Sequence, residues 1–325
     1  MNRFLDVLLS FALIAGIGGG CYYLSSTGKP IDQNLDPEQI PETTQAPEPF
    51  LIEQDNQDMF RGDLILVNQD AEFHGFDEIE EQLEVLLTQK QDCHCRSFTV
   101  TDADVKVLPN AGEHLIQLFN AFFEVEFDDN IIVRKGFRTL EQQKNLYEKY
   151  GGDGGNVAKP GHSDMHTGLC VELDVSGSDF DGTGIYSYIP EHCGEYGLIL
   201  RYPETKEEIT GMAASRCYYR YVGTPHAEYI MQNGLCLEEY IALLYQYTYD
   251  GEHLKMTDHD GKVYEIYYYP ADLFQDHTSI PVPEDLIYHI SGNNIDGFII
   301  TVETGEIEEI TEPETEELTE TAMQA

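Results

Sequence analysis

The chain has 325 residues, room for one ordinary domain with extensions or for two small ones. It carries 60 Asp and Glu against 18 Lys and Arg, a formal net charge of −42. A polyanion of this kind repels phosphate backbones, which excludes nucleic acid as a partner and leaves solubility, cations or a basic polymer to account for the acidity.

Residues 1–28 open the chain with a stretch that is uncharged from position 7 to position 28 (VLLSFALIAGIGGGCYYLSSTG), close to the ~20 residues a helix needs to cross a bilayer. Arg3 and the amino terminus precede it, which orients the N-terminus inside and the body outside. We read it as a transmembrane signal anchor. Cleavage near residues 18–20 and lipidation at Cys21 are the other readings, although Gly18 is not the large aliphatic a lipid signal wants three positions earlier. All three export the body, so the expected location is the cell membrane, single-pass, with the body on the extracytoplasmic side. Residues 29–58 are Pro-, Gln- and Glu-rich and read as an acidic linker. Six cysteines follow, Cys93, Cys95, Cys170, Cys193, Cys217 and Cys236, an even number compatible with disulfides or with free thiols.

The body, residues 59–250, begins with a short apolar strand at 64–68 (LILVN). Asp77 is placed to cap a helix whose apolar positions Ile79, Leu83, Leu86 and Leu87 share one face. Cys93-His94-Cys95 resembles half a metal site but has no second half at finger-like spacing, so it reads as surface loop. A second helix is expected over 114–123 and a strand over 131–137. Thr139 and Gln142 have the spacing of a capping box at the head of the next helix. In the run 169–175 (LCVELDV), Leu169, Val171, Leu173 and Val175 fall on one face, which reads as core. Cys170, Glu172 and Asp174 fall on the other, a thiol and two carboxylates suited to a site wall. A β-rich run at 217–222, a helix from Thr224-Pro225 to near Gly234, and a helix over 237–247 close this unit. His226 is expected to cap or pack at its helix start. Asp260-Gly261 between two alternating runs is a hairpin signal, and residues 251–303 read as a small β appendage. Residues 304–325 are acidic without a basic residue and read as a disordered tail.

Several segments together carry a resemblance. GFRTLEQQ, PGHSDMHTGL, YGLILRYP, KEEITG and YRYVGTPHA occur in the order found in zinc D-alanyl-D-alanine carboxypeptidases of the VanY type, and the region from about 64 to 244 resembles that family. The resemblance implies an α+β fold, a zinc D,D-carboxypeptidase-like core of helices packed on an antiparallel sheet, here with a C-terminal β appendage and an N-terminal membrane helix. It also implies removal of terminal D-Ala from peptidoglycan stem peptides, and places Arg138, Gln143 and Ser163 on substrate-contacting positions. On the residues alone, Arg138 reads equally as a structural ion-pair partner, and Ser163 as a turn or cap hydroxyl.

The departures fall where catalysis would be. A zinc peptidase needs three protein ligands, an open fourth position and a carboxylate that takes the proton of the bound water. By the resemblance, Met165 stands at the first His ligand, Glu172 at the Asp ligand, Tyr218 at the second His and Ser215 at the general-base Glu, with Cys217 at a Trp position. A thioether is a poor zinc ligand, a phenol of pKa about 10 is rarely deprotonated, and a serine cannot shuttle the proton. No catalytic residue is therefore expected and no cofactor. The fallback ligands are His166, Glu172 and Asp174; a soft-metal site from Met165, Cys170 and Cys217 and a Ser215 or Cys170 nucleophile served by His166 are weaker alternatives. The leading expectation is a degenerate pseudopeptidase that binds stem peptides or a cell-wall partner. The alternatives are a divergent, zinc-dependent carboxypeptidase and an adaptor protein whose tail and β appendage matter more than its cleft.

Overall fold

The computed structural model describes residues 50–151 and 157–309, so the predicted membrane segment, most of the linker and most of the tail lie outside the described residues. Among the described residues no helix is long and apolar enough to cross a membrane.

The linker expectation ends too late. Its last residues form β1 (Phe50–Asp55), which pairs antiparallel with β11 (His277–Val282), Ile52 facing Ile280, and a 3-10 turn follows over Asn56–Phe60. The predicted strand at 64–68 joins no sheet, although residues 64–67 are buried. Its backbone groups are satisfied otherwise: the carbonyls of Asp63 and Ile65 accept from Arg220, that of Val67 from Arg201 and that of Leu66 from Asn294. Such a segment meets the requirement that buried backbone polar groups be paired without a neighbouring strand.

The single helix predicted around Ile79 and Leu86 is two, α1 (Phe76–Gln82) and α2 (Leu86–Asp92), broken by β2 (Glu84–Val85). Helix α2 ends in a Schellman turn: His94 takes φ 57, its N–H reaches the Gln91 carbonyl and the Cys95 N–H reaches that of Lys90. Cys93-His94-Cys95 is therefore a helix terminus. After β3 (Thr99–Val100) and β4 (Lys106–Val107), helix α3 (Pro109–Glu126) starts five residues before the prediction, with Pro109 in its first turn where a missing N–H costs nothing. Gly112 inside α3 allows the Gln89 side chain to lie where a Cβ would be, 1.8 Å from the Gln89 Oε1.

Strand β5 (Ile131–Lys135) leads to α4 (Leu140–Tyr150), where the capping box of Thr139 and Gln142 forms with both hydrogen bonds in place. Then come β6 (Cys170–Val175), α5 (Tyr188–His192), β7 (Leu198–Tyr202), α6 (Glu207–Thr210), β8 (Ser215–Tyr221), α7 (Thr224–Gln232) and α8 (Leu237–Leu244). The central sheet runs β3-β5-β6-β8-β7, antiparallel except for the two-residue β3–β5 pairing. The inward face of β6, Leu169, Val171, Leu173 and Val175, packs on α3 through Leu115, Phe119 and Phe122, as its alternation predicts.

The remaining strands, β9 (Leu254–Thr257), β10 (Lys262–Pro270), β12 (Tyr288–Gly292) and β13 (Gly297–Ile307), form the sheet β12-β13-β10-β9, with the Asp260-Gly261 hairpin as predicted. The expected limits of the appendage are too narrow and its independence is lost. Strand β13 runs to Ile307, and Leu254, Met256, Ile266 and Ile299 share one apolar cluster with Ile230, Leu237, Ile241 and Leu244 of α7 and α8. His226 spans that junction, its Nδ1 2.6 Å from the Tyr240 hydroxyl and its Nε2 2.9 Å from the Thr301 hydroxyl of β13.

Candidate substrate cleft

A cleft of about 490 Å³ opens where β6, β8, α4 and the 3-10 turn Asp164–Thr167 converge. That lies in the range typical of small-ligand sites. Arg138, Gln143, Ser163, Glu172, Ser215 and Tyr218 all line it, which brings together residues spread over about 80 positions of sequence.

The floor is set by strand register. Glu172 of β6 pairs with Tyr218 of β8, and Cys170 with Arg220. Tyr218 packs against Tyr202 with ring centroids 5.0 Å apart. Burial, then the nearby Cys170, Tyr202 and Asp164, push the Tyr218 phenol well above its ordinary value. It is a neutral hydroxyl at physiological pH. The Cys170 and Cys217 thiols are likewise raised, chiefly by burial, and all six cysteines of the described residues are free thiols. Of Met165, Cys170 and Cys217, only Cys217 lines the cleft, so the residues of the soft-metal alternative are not brought together there.

One wall is polar and preorganised. The Arg138 Nη1 donates to Gln143 Oε1 at 2.7 Å, and Gln143, buried, donates to the Ala158 carbonyl at 2.6 Å. Among the described residues no carboxylate lies within ion-pair distance of Arg138, so the ion-pair reading finds no partner there. Ser163 precedes the 3-10 turn, and its side chain makes no cap hydrogen bond. Gly168 ends that turn at φ 68, where a Cβ would meet Leu83 at 2.6 Å, and this fixes how the turn enters β6.

Other expected site residues lie elsewhere. Met165 is fully buried beneath the cleft and does not line it. His166 is also fully buried, with Nδ1 2.7 Å from the Arg138 carbonyl and Nε2 accepting from the Gly161 N–H at 3.2 Å. Phe73 and Phe76 surround its ring, and burial lowers its pKa. With both nitrogens engaged, His166 can neither ligate a metal in the cleft nor serve Ser215 as a base. Ser215 Oγ instead contacts Cys217 Sγ at 3.3 Å. Asp174 faces Arg134 at 3.3 Å outside the cleft, because β6 leaves the site beyond Glu172.

The sequence reading missed Asp164. Its carboxylate, fully buried, accepts from Arg201 Nε at 2.5 Å and from Arg220 Nη1. Arg201 adds a bidentate pair to Glu238, at 2.9 and 2.8 Å. Burial by itself would lower the Arg201 pKa, but Asp164 and Glu238 more than reverse this and hold it charged. The signal was available in LILRY and YYRYV: an arginine inside an otherwise apolar strand needs a buried counter-charge. Asp164 anchors the turn that carries Ser163 to β7 and β8.

The residues that the resemblance places at the metal positions do not fit zinc. Between a buried thioether, one carboxylate and a neutral phenol there is a single good oxygen donor, and Ser215 cannot accept the water's proton.

A mixed sheet-and-helix core with this cleft belongs to the peptidase-like α+β class. The family model described as VanY, D-alanyl-D-alanine carboxypeptidase, matches residues 104–224. A D-alanyl-D-alanine carboxypeptidase of Enterococcus faecium is 29% identical over 250 residues, 77% of this chain and 78% of its own. The bifunctional D-Ala-D-Ala dipeptidase and carboxypeptidase VanXYC of Enterococcus gallinarum is 30% identical over 154 residues, covering 43% of this chain and 80% of its own. Among solved structures, the vancomycin-resistance D,D-dipeptidase VanXYg, in complex with a D-Ala-D-Ala phosphinate analog, aligns with a TM-score of 0.67 at 29% identity, over 78% of this chain and 98% of its own. The chain belongs to the VanY D-alanyl-D-alanine carboxypeptidase family.

Proposed function

We propose that this chain is a catalytically degenerate member of the family that binds the C-terminal end of peptidoglycan stem peptides without cleaving it. It is held at the cell membrane by residues 1–28, with its body on the extracytoplasmic side. The observation that carries the reading is the pairing of Tyr218 with Glu172 on the floor of a cleft whose wall still presents Arg138, Gln143 and Ser163. The parts that would recognise a peptide carboxylate are kept, while the donors a hydrolytic zinc would need are replaced. A guanidinium already oriented by a buried glutamine is preorganised for a planar carboxylate. The uncharged stretch from residue 7 to 28 supports the anchor.

Two measurements on the full chain test this. After incubation with zinc and removal of the excess, elemental analysis should find no stoichiometric metal, and an acyl-D-Ala-D-Ala peptide should release no D-Ala. The same peptide should bind, and Arg138→Gln should weaken binding by about 1.5–3 kcal/mol, the value of a hydrogen bond to a charged group. Metal-dependent D-Ala release would replace this reading with that of a divergent active carboxypeptidase. Absence of peptide binding would leave the adaptor reading, in which the cleft is vestigial.

A further inference from the structure

Resting on that reading, we infer that the cleft selects a ligand carrying both a carboxylate and an ammonium group, with Arg138 receiving the first and Glu172 the second. The two residues line one small cavity and carry opposite charge. In a chain with 60 acidic residues against 18 basic ones, a guanidinium without a carboxylate neighbour among the described residues is set apart for an anionic ligand group. Glu172 is the complementary case. The position it fills would hold a metal ligand in the family, yet its partner across the β6–β8 ladder is Tyr218, a phenol that brings no positive charge to balance its own.

Its cationic neighbours on β5 serve it poorly: Lys135 stands opposite Glu172 in the β5–β6 register, and among the described residues the two form no ion pair. Arg134 is 3.9 Å from Glu172 Oε1 and closer, 3.3 Å, to Asp174, with 44% of its side chain exposed. An exposed pair at that distance contributes little. The Glu172 side chain retains 27% exposure, enough for a ligand ammonium to reach it.

The long-range field points the same way. A peptide that offers only a carboxylate must bring a net negative charge to a protein of net charge −42. A ligand that also bears an ammonium group arrives neutral and escapes that repulsion. The ammonium could be the α-amine of a free dipeptide or a side-chain amine one residue before the terminal dipeptide.

Calorimetry on the full chain with four ligands separates these sources: D-Ala-D-Ala, N-acetyl-D-Ala-D-Ala, Nα-acetyl-L-Lys-D-Ala-D-Ala, and the same tripeptide acetylated on both amines. At least one amine-bearing ligand should bind about tenfold tighter than its acetylated twin, equivalent to about 1.4 kcal/mol. The member of the pair that shows the preference identifies the source of the ammonium. Glu172→Gln should abolish the preference, Glu172→Asp should keep part of it, and Arg138→Gln should weaken all four ligands. Acetylated twins that bind as well as their free amines overturn this inference and leave stem-peptide binding standing. A preference that survives Glu172→Gln overturns the role of Glu172. If none of the four binds, both this inference and the proposed function fall.

Discussion

Tyr218 stands directly opposite Glu172 across the β6–β8 ladder, so two residues that the resemblance places at the family's metal positions are neighbours, one of them a phenol. The pair is adjacent but offers one carboxylate and no imidazole, which makes the proposed degeneracy testable in reverse. The double variant Met165→His and Tyr218→His, with Glu172 unchanged, should take up about one zinc per chain where the wild type takes up none, read by elemental analysis after desalting. A double variant that stays metal-free would show that these positions do not converge on one ion.

Asp164 holds two fully buried arginines, and its loss leaves Arg220 without a carboxylate and Arg201 with Glu238 alone. Asp164→Asn should destabilise the fold by about 3–5 kcal/mol, the cost of breaking a buried ion pair on one side. Denaturant unfolding measures this. Glu238→Gln should cost less, because Arg201 then keeps Asp164. Equal stability of Asp164→Asn and wild type would mean that the two guanidiniums are adequately served by the backbone carbonyls and Glu238.

His226 gives the stability a pH dependence of definite sign. Burial, with a smaller effect from His289, lowers its folded pKa from 6.5 to about 3. The unfolded chain therefore takes up a proton near pH 6.5 that the folded chain refuses. The contribution is fully present above that value and is lost by about 1.4 kcal/mol per pH unit as the pH falls toward 3. Urea midpoints between pH 7 and pH 4 should show this slope in the wild type and a shallower one in His226→Gln. Parallel slopes in the two proteins would contradict it.

Phe127 ends α3 with φ 55 and a side chain 81% exposed, so it occupies left-handed backbone without compensating burial. Phe127→Gly should raise stability by about 1 kcal/mol, seen as an increase in Tm. A lowered Tm would indicate that the Phe127 ring protects the helix end in a way its exposure conceals.

Much of this protein is legible in its local chemistry. Alternation along 169–175 separates a core face from a site face because side chains on a strand point alternately to its two sides. Thr139 with Gln142 marks a helix start because those side chains can reach only the first turn's N–H groups. Asp260-Gly261 marks a hairpin because Gly261, at φ 81, tolerates the backbone that the turn demands. The resemblance groups Arg138, Gln143, Ser163, Met165, Glu172, Ser215 and Tyr218 at one site, and all of these but Met165 line the cleft.

What stayed hidden depends on partners distant in sequence. Residues 64–67 look like a strand, but Arg201, Arg220 and Asn294 satisfy the carbonyls that a strand would have offered to a neighbour. His166 looks available as a ligand until Phe73, Phe76, Gly161 and the Arg138 carbonyl close around it. The β appendage reads as separate because its composition changes, yet Ile266 and Ile299 complete a core begun by α7 and α8. Composition, spacing and strand alternation set the class, the order of elements and the chemistry on offer, since each acts within a few residues. Which of those groups face the cleft, and which are consumed in holding it, was decided only when segments up to about 230 residues apart came into hydrogen-bond range.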